Sequence, residues 1–149
     1  MQFLVLAAIL CVAVALLIRR DRERTRNAPL RSEIQAQVRY ETRLRRACTL
    51  GTGGFGGTRD TWIDVKGMTR LTVGTDAFII SAPQALREFA FTGRETSIAL
   101  TRMRFGPAGR DWIVITGPDN GRQIRLAILP GNPTGTYDAL AATGAALMP

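Results

Sequence analysis

MQFLVLAAILCVAVALLI, residues 1–18, carries no charged side chain and is followed at once by RRDRERTR. A run of that kind cannot be left in water next to a folded domain, so it divides the chain before any other feature is considered. Its uninterrupted apolar part, Phe3 to Ile18, is sixteen residues, about 24 Å as a helix at 1.5 Å per residue. A bilayer hydrocarbon core is about 30 Å thick. Gln2 and the aliphatic stems of Arg19 and Arg20 extend the run by snorkelling. The pattern predicts an uncleaved transmembrane anchor over 1–18. The alternative is a secretory signal, for which Ala13-Val14-Ala15 offers an A-x-A site. A signal places Lys or Arg before its apolar region, and here none precedes it. Cleavage after Ala15 would also cut inside the run, and Leu10 is too large for the residue before an acylated Cys11. All the flanking arginines follow the run, which predicts a single-pass protein of the cell membrane with its N-terminus outside and its C-terminal domain cytoplasmic.

The charge distribution refines that division. The chain has 20 Lys+Arg against 12 Asp+Glu, a net +8, and Lys66 is its single lysine. Between Arg19 and Arg46 ten arginines face four carboxylates, leaving +6, whereas from Ala47 onward the surplus is +2. A nucleic-acid reader carries its basic face on the folded domain, so no nucleic-acid partner is expected. RRDRERTRNAPLR reads as a polar juxtamembrane linker containing Pro29. Arg19, Arg20, Arg22, Arg24 and Arg26 are candidate contacts for anionic lipid headgroups, each worth about 1 kcal/mol near the surface; a plain stop-transfer flank is the simpler reading. SEIQAQVRYETRLRRACT then predicts a short linker helix over 32–47. Ser32 with Gln35 forms a capping box, and Ile34, Val38 and Leu44 recur at near-helical spacing. Its thin apolar stripe fits a helix lying on the domain, self-associating with another copy, or simply connecting.

LGTGGFGGTRD, residues 50–60, raises the question of a nucleotide site. Gly51, Gly53 and Gly56 satisfy G-x-G-x-x-G, but that fingerprint needs a strand before it and a helix after it. The segment before it reads as helix, and TWIDVKG after it as strand. A P-loop needs lysine where Gly57 stands before Thr58. The stretch is expected to be a glycine-rich hinge ending a linker over 19–57.

From Thr58 onward, short β-branched and aromatic runs alternate with turn signals. TWIDV, TRLTV, DAFIIS, LREFAF, TSIALTRM, DWIVIT and RQIRLAI make seven. GPDNG is a hairpin signal, because Asn120 and Gly121 tolerate positive φ. Ile124, Leu126 and Ile128 share one face while Gln123 and Arg125 take the other; Leu71 and Val73 alternate likewise with Arg70 and Thr72. One-sided strands without intervening helices predict an antiparallel sheet with a core face and a wet face. Trp62 and Trp112 are expected in the core. After PGNPTG, TYDALAATGAALM reads as one final helix with Tyr137, Leu140, Ala141 and Leu147 inward.

Seven antiparallel strands followed by one C-terminal helix resemble the pleckstrin-homology order. Residues 58–148 look similar to the PH-like/GRAM-type domains of small membrane-anchored bacterial proteins. WIDVKGMTRLTV matches the first hairpin, DAFIIS the third strand, GRQIRLAI the close of the second sheet, and the segment after Pro133 the helix. The resemblance implies a mainly β fold, a bent seven-stranded antiparallel barrel or sandwich whose corner the helix plugs, occupying 58–149. Lipid-binding members carry K-x(n)-[KR]-x-R in the first hairpin. Lys66 and Arg70 match its first two places as a binding hairpin, but Thr72 departs at the third, which argues against phosphoinositide binding there.

The chain contains no histidine, which removes the commonest general base and metal ligand. Cys11 and Cys48 provide no disulfide framework. Asp60, Asp64, Asp76, Glu88, Glu95 and Asp111 fall at strand ends without metal-ligand spacing. No enzyme, cofactor or metal site is expected. The expected role is a membrane-anchored binding or adaptor module presenting a cytoplasmic PH-like domain to a protein partner near the bilayer. The alternative is a structural subunit of a membrane complex, assembling through the anchor and the 32–47 helix.

Overall fold

In the computed structural model the described residues are 1–51, 61–64, 67–103 and 110–149. The chain begins with a helix, α1 (Gln2–Arg26), then a short α2 (Ala28–Ala36). Strands follow as β1 (Tyr40–Thr49), β2 (Thr61–Asp64), β3 (Arg70–Val73), β4 (Ala77–Ala82), β5 (Arg87–Thr92), β6 (Ser97–Met103), β7 (Arg110–Asp119) and β8 (Arg122–Pro130). Helix α3 (Pro133–Ala141) and strand β9 (Ala146–Met148) complete the described elements. The molecule is thus mainly β, with an apolar helix at one end and a helix near the other.

Helix α1 is long and apolar enough to cross a membrane, and its apolar residues are exposed. It does not stop at Ile18. Arg19 to Arg26 continue it, so the expected polar linker is helical up to Asn27, which is buried. Pro29, read from sequence as a linker residue, instead sits in the first turn of α2, where its missing N–H costs nothing.

The expected helix over 32–47 is not found. Residues 28–36 are helical, and Tyr40–Thr49 form a strand at the centre of the sheet. Tyr40, Thr42 and Leu44 turn toward the interior and Glu41 and Arg43 toward solvent, an alternation of period two. The helix-forming Arg, Glu, Leu and Ala residues yield here to tertiary pairing. The first half of β1 pairs with β3 and its second half with β8 and β2, and a register shift between Leu44 and Arg46 leaves Arg45 as an extra residue. Such a bulge bends a strand, which lets β1 serve two sheets.

The strand count also departs from seven. All seven expected strands occur, and β1 and β9 join them, giving nine among the described residues. Their order is β5-β4-β3-β1-β8-β7-β6-β9, with β2 pairing on β1. The sheet is mixed rather than purely antiparallel, because β9 runs parallel to β6. It is also open. It curls until edge strand β5 approaches the end of β7, where the Asp119 Oδ1 accepts from the Ala90 N–H at 3.4 Å, without a ladder between them.

The core lies inside the curl. Leu44, Leu71, Phe78, Ile80, Phe89, Phe91, Ile98, Ile113, Ile115, Leu126 and Ile128 are fully buried, and Phe78 stacks on Phe91 with ring centroids 5.2 Å apart. A smaller cluster on the other face joins Cys48, Trp112, Ala127 and Leu129. The expected alternation of β8 therefore ends past Arg125, where both faces are covered. At the β7–β8 turn Asn120 and Gly121 take φ of 55° and 73°, as their types allow.

Helix α3 is shorter than expected. Asn132 caps it by accepting from the Gly135 N–H at 3.0 Å, and Leu140 is buried in the core. Tyr137 and Ala141 pack at the core's margin. Gly144, at φ 89°, ends the helical path, so Leu147 lies exposed on β9 instead of inward on a helix.

Candidate functional site

The outer face of β3, β4 and β5 would be a wet face in a simple two-sided sheet. Here α2 covers part of it. Ile34 is buried against Ala77 and Ile79, with Leu30 and Ala90 beside them. Burying an isoleucine of this kind contributes about 1.5–3 kcal/mol. Because β4 is then covered on both faces, Ala77 to Ile80 form an unbroken buried run.

Beside that seat, polar side chains from α1 and α2 converge on β5. Glu88 is buried on the sheet's outer face. Its carboxylate pairs with Arg31, and accepts from Asn27 Nδ2 at 3.3 Å and from Ser81 Oγ at 3.0 Å. The backbone N–H of Glu88 donates to Glu23 Oε2 at 2.9 Å. One turn further along α1, Arg26 pairs with Asp119 at 3.2 Å. Burial raises the Asp119 carboxyl above its ordinary value of 3.8, and the Arg26 charge and the Ala90 N–H offset only part of that rise. The end of α1 is therefore joined to the sheet by partly buried, charge-assisted hydrogen bonds, the stronger kind.

A cleft of about 450 Å³ opens next to this junction, between α1, α2 and the outer face of β3–β5. Its walls carry five arginines, Arg20, Arg24, Arg31, Arg70 and Arg87, against Glu23, Glu41 and Glu88, leaving +2. Arg31 is paired with Glu88, and Arg70 with Glu41 at 2.8 Å. The Arg87 guanidinium lies 4.8 Å from the centroid of the Phe89 ring. Met68, Val38, Pro83 and Leu86 supply an apolar side to the same cleft.

The structure sorts the sequence-derived candidates. Arg20 and Arg24, four residues apart on one helical face, line the cleft together with Arg70. Arg26 is committed to Asp119. Arg19 and Arg22 are exposed on α1 and do not line the cleft. Lys66, the other residue of the expected binding hairpin, lies outside the described residues, as do Val65, residues 52–60 of the glycine stretch and the side chain of Trp62. Sequence reasoning missed Arg31, Arg87, Glu23 and Glu88. The signal available was weak: an acidic residue at the centre of LREFAF, at a position whose neighbours are all apolar or basic.

The glycine stretch can be weighed from its flanks. A strand, β1, does precede it, contrary to the expected helix, but an antiparallel strand, β2, follows, with Cys48 opposite Trp62 and Thr49 opposite Thr61. It therefore joins a hairpin, not the strand and helix of a dinucleotide fingerprint. Among the described residues there is no group of three His, Cys, Asp or Glu placed to hold a metal ion. Compared with protein-family models, with curated proteins and with solved structures, the chain finds no match.

Proposed function

We propose that this chain is a membrane-anchored binding module. In this reading α1 spans the bilayer once with its N-terminus outside, and the β domain, PH-like in character, works on the cytoplasmic side by holding a protein partner close to the membrane. The observation that carries the proposal is the joint between Glu23, Arg26 and Asn27 of the helix end and Glu88 and Asp119 of the sheet. A domain meant to act away from the bilayer needs a loose tether; this one is bolted to the end of its own apolar helix. Support for the PH-like character comes from strand order: two antiparallel meanders, β3-β4-β5 and β6-β7-β8, flank the shared β1, and α3 packs on their common core. The absence of histidine from the sequence favours binding over catalysis.

The partner surface we favour is the β9 edge. Edge strands recruit partners through unpaired backbone groups. On β5 the outward N–H groups of Glu88 and Ala90 are already taken by carboxylates. Strand β9 exposes Leu147 and Met148, beside an exposed Leu100 on β6. The alternative, a structural subunit, retains only the anchor as its assembly element, because residues 40–49 are strand.

Two measurements test the proposal. In a Cys11→Ala, Cys48→Ala background, an impermeant maleimide should label Gln2→Cys in intact cells and Asp138→Cys only after permeabilisation; the reverse pattern overturns the orientation. A photocrosslinker at Leu147 should give one discrete adduct with another protein, and one at Arg122, in the β7–β8 turn, should not. Adducts solely with a second copy of the chain would favour the structural subunit.

A further inference from the structure

We infer that the arginine cleft at the α1–sheet junction is a binding site for the phosphate of one anionic phospholipid headgroup, drawn from the leaflet in which α1 ends. Three features carry this. First, the cleft holds positive charge that the protein does not neutralise. Arg31 and Arg70 have carboxylate partners and Arg87 acts on the Asp119 carboxylate, whereas among the described residues no ion pair involves Arg20 or Arg24. Glu23, the remaining carboxylate, accepts the Glu88 N–H, and the cleft as a whole keeps a surplus of +2. Guanidinium groups favour phosphate because their donors match its oxygens two at a time.

Second, the depth is right. Along the helix axis Arg20 lies about 3 Å and Arg24 about 9 Å beyond Ile18, at 1.5 Å per residue. The interfacial layer on each side of a hydrocarbon core is roughly 5–8 Å thick. The two side chains thus bracket the level at which phospholipid phosphates sit, and Arg87 of the sheet lines the same cleft.

Third, the cleft is amphipathic. Met68 and Val38 line it while remaining 55% and 45% exposed. Free phosphate has no use for such a wall, but a glycerol backbone and the first methylenes of an acyl chain do. This favours a lipid over a soluble anion, and a specific seat over a diffuse basic flank. The inference rests on α1 being a membrane span.

The test uses the full chain in neutral detergent micelles, titrated with phosphatidylglycerol, with phosphatidylcholine and with inorganic phosphate, and read by native mass spectrometry and thermal shift. One phosphatidylglycerol should bind with clear preference over phosphatidylcholine. Arg20→Gln and Arg24→Gln should each weaken it about five- to tenfold. Arg19→Gln and Arg22→Gln remove the same charge from the same region outside the cleft and should weaken it less than about twofold. Arg20 and Arg24 are both exposed, so neither variant disturbs the core, and the melting temperature of each without lipid checks that it is folded. Equal losses in all four variants would overturn the seat in favour of a diffuse charge effect. Lack of preference for phosphatidylglycerol would overturn it outright, and inorganic phosphate binding equally tightly would reassign the cleft to a soluble anion. Failure of the span shows separately, as release of the wild-type chain from membranes by carbonate, while the selectivity among variants is read in the same micelles in either case.

Discussion

The carboxylate of Glu23, on the last turns of the apolar helix, accepts the backbone N–H of Glu88 at 2.9 Å. That N–H faces away from β4 at the free edge of the sheet, where another strand would otherwise bind. One bond therefore does two things: it closes an edge that invites aggregation, and it fixes the helix to the domain. Replacing Glu23 by Ala removes a charge-assisted bond to a half-buried position and should cost about 1–2 kcal/mol. The expected local signature is loss of hydrogen-exchange protection at the Glu88 amide with the β7 and β8 amides unchanged. Uniform loss across the sheet would mean that the helix end holds the whole fold rather than its edge.

Asp119 should give the domain a pH dependence of unusual sign. Burial raises its carboxyl above 3.8 in the folded state, so the native protein holds this proton more tightly than the unfolded chain. Its contribution is then fully present below the unfolded value and is lost as pH rises through the higher folded value. Asp119→Asn removes that slope. The melting temperature of the variant minus that of the parent should rise from acid pH toward neutrality; a falling difference would sink the assignment.

The partner of that carboxylate behaves oppositely. Arg26→Ala leaves Asp119 buried without its cation. A fully buried pair broken this way costs about 3–5 kcal/mol, but Arg26 keeps 31% of its side-chain surface in water, and about 1–2 kcal/mol is expected after screening. Denaturant titration at neutral pH should find Arg26→Ala the weaker of the two variants. The reverse ranking would show that the pair is not the contact that matters.

Gly93 is needed where β5 hands over to β6. A Cβ there would meet the Thr143 carbonyl oxygen at 2.1 Å, a backbone atom just beyond α3. Gly93→Ala should therefore destabilise by about 2–4 kcal/mol, as overpacking against unyielding backbone does. Gly131 has nothing within 4 Å of its would-be Cβ, and Gly131→Ala should lie within about 1 kcal/mol of the parent. Comparable melting temperatures for both variants would contradict the packing of the segment after α3 onto β5.

A chain truncated to begin at Ala47 should not fold. It lacks Tyr40 to Arg46, and with them the ladder between β1 and β3 and the Leu44 side chain in the core. Circular dichroism should show little cooperative unfolding, whereas a chain beginning at Arg19 should melt cooperatively. A folded Ala47 truncation would return residues 40–46 to the linker that the sequence implied.

Local pattern was enough for much of this molecule. The charge-free run with its basic flank predicts α1, because sixteen consecutive apolar residues come close to the length of a membrane-crossing helix and leave no polar face for water. Period-two alternation between turn signals predicts the seven strands from β2 to β8, because each strand buries one face on the same core and the pattern records it. Tertiary structure decided the rest. Tyr40–Thr49 carries helix-favouring residues and a passable helical stripe, and it becomes strand because β3 and β8 offer its backbone partners on both sides, which no local signal encodes. Strand β9 exists only because β6 has a free edge nearby. The cleft joins Arg20 and Arg24 to Arg87, more than sixty residues away in the chain. Helix periodicity places the first two on one face, but only the curl of the sheet and the seat of α2 bring the third into the same cleft. Hydrophobic pattern is written residue by residue; pairing and charge convergence are properties of the assembled surface.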